Sequence, residues 1–381
     1  MRIVVLGTGL IGQMIVKELA SRSFVSSVLA VDGNEAAVSA AVQAANSDVV
    51  RGQVADLGSV AAIEVLLSGA DIAVAALPDA LSLLAVEAAA NVGTHLVDLV
   101  GANYDEKLPF HERAQQNGAL IIPGCGLAPG IVNVLAARGI DLLDDADEAI
   151  MYCGGLPQDP LPPLWYQIVF RLESVMNLYT RPAMATQDGK IIQMPPMAGL
   201  EEIEFPEPIG RCEAAYSDAH STAYTLAHKV KHLAEKTVRY NGHFGKMAVL
   251  KELGFLNREP VTVNGAEVVP LDVAMAVLEP QLRGASNRDV TVLRVDVRGK
   301  KDGANTLHRW ELIDYFDEER NYTSMAKTTG FPALIGVEWL ANGTLSERGL
   351  VSPEELFVGS RFEKFVSELA GYGVHITYAV Q

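Results

Sequence analysis

Over the first third of the chain, short apolar runs alternate with longer stretches whose apolar positions recur at helical spacing. The apolar runs at 2–6, 28–31, 49–54, 72–76, 94–98 and 119–123 read as strands, and 10–20, 60–68, 81–92 and 104–117 read as helices. Strands that alternate with helices through short connections imply a parallel sheet covered on both faces, so residues 1–130 are expected to form a doubly wound α/β domain. After a helix at 131–138 the texture changes. Segments at 148–152, 183–193, 202–205, 212–216 and 236–240 alternate apolar and polar residues, and a late pair, 291–298 and 307–316, flanks the turn-rich stretch 299–305. Residues 131–322 are therefore expected to form an α+β domain with a largely antiparallel sheet. Helical period returns at 324–342 and 353–369, and residues 323–381 are expected to cross back onto the first domain.

The first strand runs directly into Gly7-Thr8-Gly9-Leu10-Ile11-Gly12, and an acidic residue, Asp32, ends the second strand twenty residues beyond Gly12. A strand, a GxGxxG turn, a helix and an acid at this spacing form a dinucleotide fingerprint. Gly7 makes the tight turn, Gly9 lets backbone approach a pyrophosphate, and Gly12 lets helix pack on strand. Leu10 and Ile11 open the helix whose free N–H groups would face the phosphates. Asp32 would bind the ribose hydroxyls, and Gly33-Asn34-Glu35 offers no cation for a 2′-phosphate, so NAD is expected over NADP. Ligands of such sheets bind beyond the carboxyl ends of the strands, which puts Asp56, Leu77, Pro78, the segment Asp98 to Gly101, and Gly126 and Pro129 in the loop 124–130 on the rim of one crevice.

Composition narrows the class. A chain of 381 residues with 49% hydrophobic and 20% charged content suits a globular protein of two domains. It has no uncharged apolar run long enough to span a bilayer. The first strand begins at residue 2, which leaves no room for a signal peptide, so a cytoplasmic protein is expected. Cys125, Cys153 and Cys212 are odd in number and lack CxxC spacing, which points to reduced thiols and no metal site. A net charge of −17 opposes nucleic acid and anionic membranes as partners.

Five further segments occur in order: Gly124 to Gly130 (GCGLAPG), Gly154 to Pro160 (GGLPQDP), Tyr179 to Pro182 (YTRP), Val238 to His243 (VRYNGH) and Thr328 to Phe331 (TTGF). With the N-terminal fingerprint, the series resembles lysine 6-dehydrogenase within the saccharopine dehydrogenase-like superfamily, over nearly the whole chain. The resemblance implies a Rossmann domain, a mixed substrate domain that builds a homo-oligomer interface, NAD, and oxidative deamination of the terminal amine of L-lysine to a semialdehyde that cyclises. A related enzyme acting on a secondary amine, saccharopine-like or opine, and a non-catalytic NAD(H)-binding redox sensor are the alternatives.

Amine oxidation requires a neutral amine, yet a free ε-ammonium has a pKa of about 10.4, so the site must accept its proton. His243, in the charged, glycine-containing stretch 239–245, and Asp98, at a strand end on the cofactor rim, are the candidate bases. Each has a purely structural alternative, holding the turn for His243 and capping the next segment for Asp98. Arg239 is preferred to hold the substrate carboxylate, with Arg181 as the second family-matched choice. Tyr166 could line a methylene chain, and Asp218 could pair with the α-ammonium.

Overall fold

The computed structural model describes residues 1–169, 172–284 and 286–381. These fall into two compact units: 1–138 with 220–225 and 326–375, and 139–219 with 226–325 and 376–381.

The first unit is built on strands β1 (Arg2–Leu6), β2 (Ser27–Asp32), β3 (Val50–Val54), β4 (Ile72–Ala75), β5 (His95–Asp98) and β6 (Leu120–Ile122). With the short strand Gly349–Leu350 they make a seven-stranded sheet whose order from that strand is β6-β5-β4-β1-β2-β3. All its pairs are parallel. Helices cover both faces of such a sheet, which is why β4 is buried along its whole length and apolar without alternation. The chain winds outward from β1 through β2 to β3, then returns to start the other half at β4. The crevice between β1 and β4 is thus the topological switch point where ligands of doubly wound sheets bind.

Two expected helices are interrupted. The stretch 104–117 is Tyr104–Lys107, a 3-10 turn Leu108–Phe110 and His111–Gln116, because Pro109 lacks the N–H that a continuous α-helix would bond to the carbonyl four residues earlier. The stretch 353–369 breaks between Pro353–Leu356 and Phe362–Gly371, where Gly359 has φ +61°.

The second unit carries a nine-stranded sheet. Its strands are β7 (Asp145–Pro157), β8 (Ala183–Gln187), β9 (Lys190–Met194), β10 (Glu201–Glu204), β11 (Arg211–Ser217), β12 (Val230–Tyr240), Asp289–Lys301, Ala304–Tyr315 and Thr377–Val380. The order runs β10-β11-β12-β7 and on through the last three, with β8 and β9 hung on β12. It is antiparallel except where β12 runs parallel to β7. The expected strand 183–193 is a hairpin, turning on Asp188 and Gly189 with φ +50° and +74°, the left-handed pair that a two-residue hairpin requires. Among the described residues of this unit, three helices lie outside the sequence expectation: Leu172–Thr180, His243–Glu252 and Pro270–Leu282. Their apolar residues, among them Val175, Met176, Phe244, Met247 and Leu271, cluster with Ala215 of β11 on one face of the sheet. The opposite face takes Ala234 and Val238 of β12 together with Ala214 and Ile150. Alternation along β12 therefore turns Glu235, Thr237 and Arg239 toward the face covered by the helices. Among the described residues no helix is long and apolar enough to cross a membrane.

Candidate functional site

The nucleotide cradle follows from three glycines. Gly7 has φ +90°, and a Cβ there would come within 2.2 Å of the Ala76 carbonyl oxygen. A Cβ on Gly12 would meet the Gly7 carbonyl oxygen at 2.0 Å. Gly9 has nothing within 4 Å of the Cβ it lacks, so open space faces the turn at the position expected to admit a phosphate. The helix Leu10–Ala20 starts at Gly9 with no side-chain cap, which leaves the amides of its first turn unclaimed, and Leu10 is 53% exposed there. Asp32 is held rather than free. Its Oδ2 accepts the Thr8 amide at 2.8 Å and the Thr8 hydroxyl at 3.3 Å, and its Oδ1 accepts the Asn34 amide at 2.9 Å. Leu77 would lie 3.3 Å from a Gly7 Cβ, and Pro78 precedes a second uncapped helix, Asp79–Val92. Asp56 accepts the Gly58 amide in the turn after β3. An open glycine turn, an uncapped helix end and a fixed carboxylate form a donor and acceptor set that fits a dinucleotide.

Asp98 is committed elsewhere. It is fully buried, and its Oδ2 accepts from Lys107 Nζ at 2.9 Å and from the Ser82 hydroxyl at 2.8 Å, while Oδ1 accepts the Val100 amide. Lys107, also fully buried, donates in addition to the Val100 carbonyl at 2.6 Å. The pair fixes the loop after β5, and that loop lies against the loop after β6: a Cβ on Gly101 would overlap Pro129 at 2.3 Å, and the Cys125 amide donates to the Asp98 carbonyl at 2.8 Å. These bonds engage both carboxylate oxygens of Asp98, which favours the structural alternative, capping the next segment, over the role of base.

In the second unit, Arg239, His243, Tyr166 and Tyr179 come together. His243 corrects the sequence reading in two respects. It is the first residue of a helix, reached through Gly242 at φ +85°, and it is 1% exposed. Its Nδ1 faces the Leu164 carbonyl at 2.8 Å and therefore carries the proton, which makes Nε2 the acceptor for the Tyr179 hydroxyl at 2.8 Å. Burial, aided by the Arg239 charge, lowers the imidazole to about 3, so it is neutral across the physiological range.

Arg239 donates from Nε to the Tyr179 oxygen at 3.4 Å and from Nη1 to the Thr237 hydroxyl and the Val238 carbonyl. Its guanidinium stacks on the Tyr166 ring, 4.9 Å from the centroid. It is 4% exposed. Among the described residues no carboxylate lies within 4 Å of it and Nη2 has no protein acceptor. Glu213, opposite it across β11 and β12, accepts the Phe244 amide at 2.5 Å instead. A buried cation without an anion is costly unless a ligand supplies one.

The other expected substrate residues lie apart from this cluster. Arg181 is exposed and lines an open cavity of about 400 Å³ with Lys251 and Arg258. Asp218 accepts the Met184 amide at 3.3 Å. Tyr179 and Thr237 are not among the residues read as candidates from the sequence, although Tyr179 opens the YTRP segment and Thr237 sits two residues before Arg239 on the same strand face.

Two family models cover most of the chain: the saccharopine dehydrogenase NADP binding domain matches residues 3–122, and the saccharopine dehydrogenase C-terminal domain matches 126–374. The saccharopine dehydrogenase [NADP(+), L-glutamate-forming] of Schizosaccharomyces pombe is 22% identical over 380 residues, spanning 79% of this chain and 83% of that protein. Carboxynorspermidine synthase of Vibrio alginolyticus is 25% identical over 269 residues, spanning 66% of this chain and 62% of that protein. Among solved structures, apo saccharopine dehydrogenase (L-Glu forming) from Saccharomyces cerevisiae shares the fold, with a TM-score of 0.82 and 21% identity over 100% of this chain and 99% of that one. With the cradle and the two matched domains in register along one polypeptide, the chain belongs to the saccharopine dehydrogenase family of oxidoreductases.

Proposed function

We propose that this protein is an NAD-dependent dehydrogenase that oxidises a C–N bond of an amino-bearing carboxylic acid, and that its substrate is L-lysine, deaminated at the ε-carbon to the 6-semialdehyde and ammonia. The observation that carries the reading is Arg239, a buried guanidinium with no carboxylate partner and an unclaimed edge, which suits a substrate carboxylate.

A bound nicotinamide would supply the hydride acceptor. The amides opening the helix Leu10–Ala20 would hold the pyrophosphate of the dinucleotide and Asp32 its ribose, and Gly33-Asn34-Glu35 after it carries no cation for a 2′-phosphate. On the substrate side, Arg239 fixes the carboxylate, Tyr166 walls the aliphatic chain, and neutral His243 orients the Tyr179 hydroxyl through Nε2. His243 is thus a positioning residue and does not titrate near neutrality.

A second reading is favoured by the relatives' names: a secondary amine bearing a carboxylate, as saccharopine dehydrogenase and carboxynorspermidine synthase suggest. A homo-oligomer acting on a small molecule belongs to both readings, and light scattering tests it.

The deciding experiment follows NADH or NADPH formation with lysine, ornithine, other diamines, saccharopine and opines. Turnover of lysine with NAD supports the first reading, and turnover of saccharopine or an opine alone supports the second. Tight NADH binding without turnover of any amine leaves a redox sensor. In the same assay Arg239→Ala should raise KM for lysine roughly 10- to 150-fold more than for cadaverine, since a charge-assisted bond contributes about 1.5 to 3 kcal/mol. Equal losses on both substrates take Arg239 out of the carboxylate site.

A further inference from the structure

Arg239 shares its strand face with a second buried charge that the reaction above leaves unused. Glu235, two residues before Thr237 on β12, is 5% exposed. Its Oε1 accepts from the Ser217 hydroxyl at 3.3 Å, directly across the strand pair, while Oε2 is sealed from solvent without a hydrogen-bond partner. The charged group acting on it is another carboxylate, Asp218, at the end of β11. From β7, Met151 lies in register with Glu235 and Cys153 with Thr237. The Cys153 thiol, pushed up chiefly by burial, feels Glu235 and Arg239 with opposite signs.

A native core rarely tolerates a buried carboxylate oxygen with no donor, and such an atom calls for a function or a ligand. A buried carboxylate oxygen without a donor favours a ligand that brings N–H groups and positive charge. A metal would need further ligands, and among the described residues no group of three or more His, Cys, Asp or Glu could hold one. An ammonium needs only hydrogen-bond acceptors. Position limits which ammonium it is: four residues of strand separate Glu235 from Arg239, roughly 13 Å between Cα atoms. The α-ammonium and α-carboxylate of one amino acid share a single carbon and cannot reach both.

We propose that Glu235 receives the reacting amine of the substrate, so that β12 measures a carboxylate at Arg239 against a nitrogen several bonds away. This rests on the amine-dehydrogenase reading above. The Glu235 carboxylate takes one proton from the substrate ammonium and becomes the neutral acid, and the nitrogen keeps the lone pair that C–N oxidation requires. The ligand class is an ω-amino or N-alkylated amino acid, to the exclusion of a plain α-amino group. Burial, then Asp218, pushes the Glu235 carboxyl up to about 8, which places its ionisation where amine oxidation would sense it.

The test compares wild type, Glu235→Gln and Glu235→Asp in NADH formation from lysine, saccharopine and alanine between pH 6.5 and 10. Wild type should turn over an ω-amine or N-alkylated substrate but not alanine, with kcat/KM rising through about pH 8 to a plateau. Glu235→Gln, which keeps an acceptor for Ser217, should lose that limb and lower kcat roughly 10²- to 10⁴-fold, with unchanged Tm and NADH affinity. Glu235→Asp should restore part of the rate together with the limb. A flat wild-type profile over that range overturns the proposal even if neither variant folds. So does a Glu235→Gln enzyme with wild-type kcat and an unchanged limb, although lysine or saccharopine oxidation would stand. A wild type that oxidises no amine overturns both the proposal and the function on which it rests.

Discussion

Replacing Asp98 by asparagine keeps its shape and removes its charge, leaving the Lys107 ammonium fully buried among neutral acceptors without its counter-ion. Breaking a buried ion pair in this way costs about 3 to 5 kcal/mol, most of it the penalty of an uncompensated charge. A unit of this size loses about 2 to 4 °C of Tm per kcal/mol, so Asp98→Asn should melt roughly 6 to 20 °C lower. The double variant Asp98→Leu/Lys107→Met removes both charges and should recover most of that loss, because buried pairs exchanged for apolar residues of similar volume are often neutral. Scanning calorimetry of all three proteins, paired with NADH titration, measures the cycle. Turnover should fall only as far as the loops bearing Gly101 and Pro129 loosen, and the double variant should regain activity along with stability. An Asp98→Asn protein that melts within about 2 °C of wild type, binds NADH normally and turns over nothing would refute it and return Asp98 to the role of base.

Other outcomes follow from the cradle and the imidazole. Gly9→Ala should leave the Tm of the free protein unchanged and weaken NADH binding, since its Cβ meets nothing in the protein, whereas Gly12→Ala should lower both, because its Cβ lies 2.0 Å from the Gly7 oxygen. Equal melting losses would contradict the open turn at Gly9. Asp32→Ala should reduce the preference for NAD over NADP, and a wild-type enzyme that already prefers NADP would refute the reading of this strand end. His243 is lowered in the folded state, so it contributes stability present above the unfolded value of 6.5 and lost as pH falls toward about 3. Chemical denaturation between pH 3 and 7 should therefore show a shallower slope for His243→Gln than for wild type, and His243 should leave no inflection in the rate profile between pH 5 and 8. A His243-dependent limb in that range would restore it as a titrating base.

The nucleotide half was legible because its constraints are local. A glycine turn, an uncapped helix and an acid twenty residues on lie within one stretch of chain, and β1 to β6 form where apolar runs were read. The substrate half depends on distant pairings. Glu235, Thr237 and Arg239 look like ordinary alternation until β11, β7 and three helices bury their face. Asn241-Gly242 reads as a loop because asparagine and glycine favour left-handed backbone, yet Gly242 adopts that conformation just before a helix that carries His243 inward. Pro270 with Asp272 was a readable start for Pro270–Leu282 that periodicity alone did not bring out. Asp98 sat on the expected rim, but nothing local announced that Lys107, nine residues later, would turn into the core to meet it.

The strand Gly349–Leu350 gives the doubly wound sheet its last member, and its position in the chain has a bearing on synthesis. Made from the N-terminus at about 5 to 20 residues per second, the chain completes β6 on the order of ten to forty seconds before its edge partner exists. Until then the backbone donors and acceptors of Leu120–Ile122 on that side are exposed, and unpaired edges of this kind recruit other strands. A released fragment that ends before Gly349 should therefore bind chaperones or aggregate more than the full chain does.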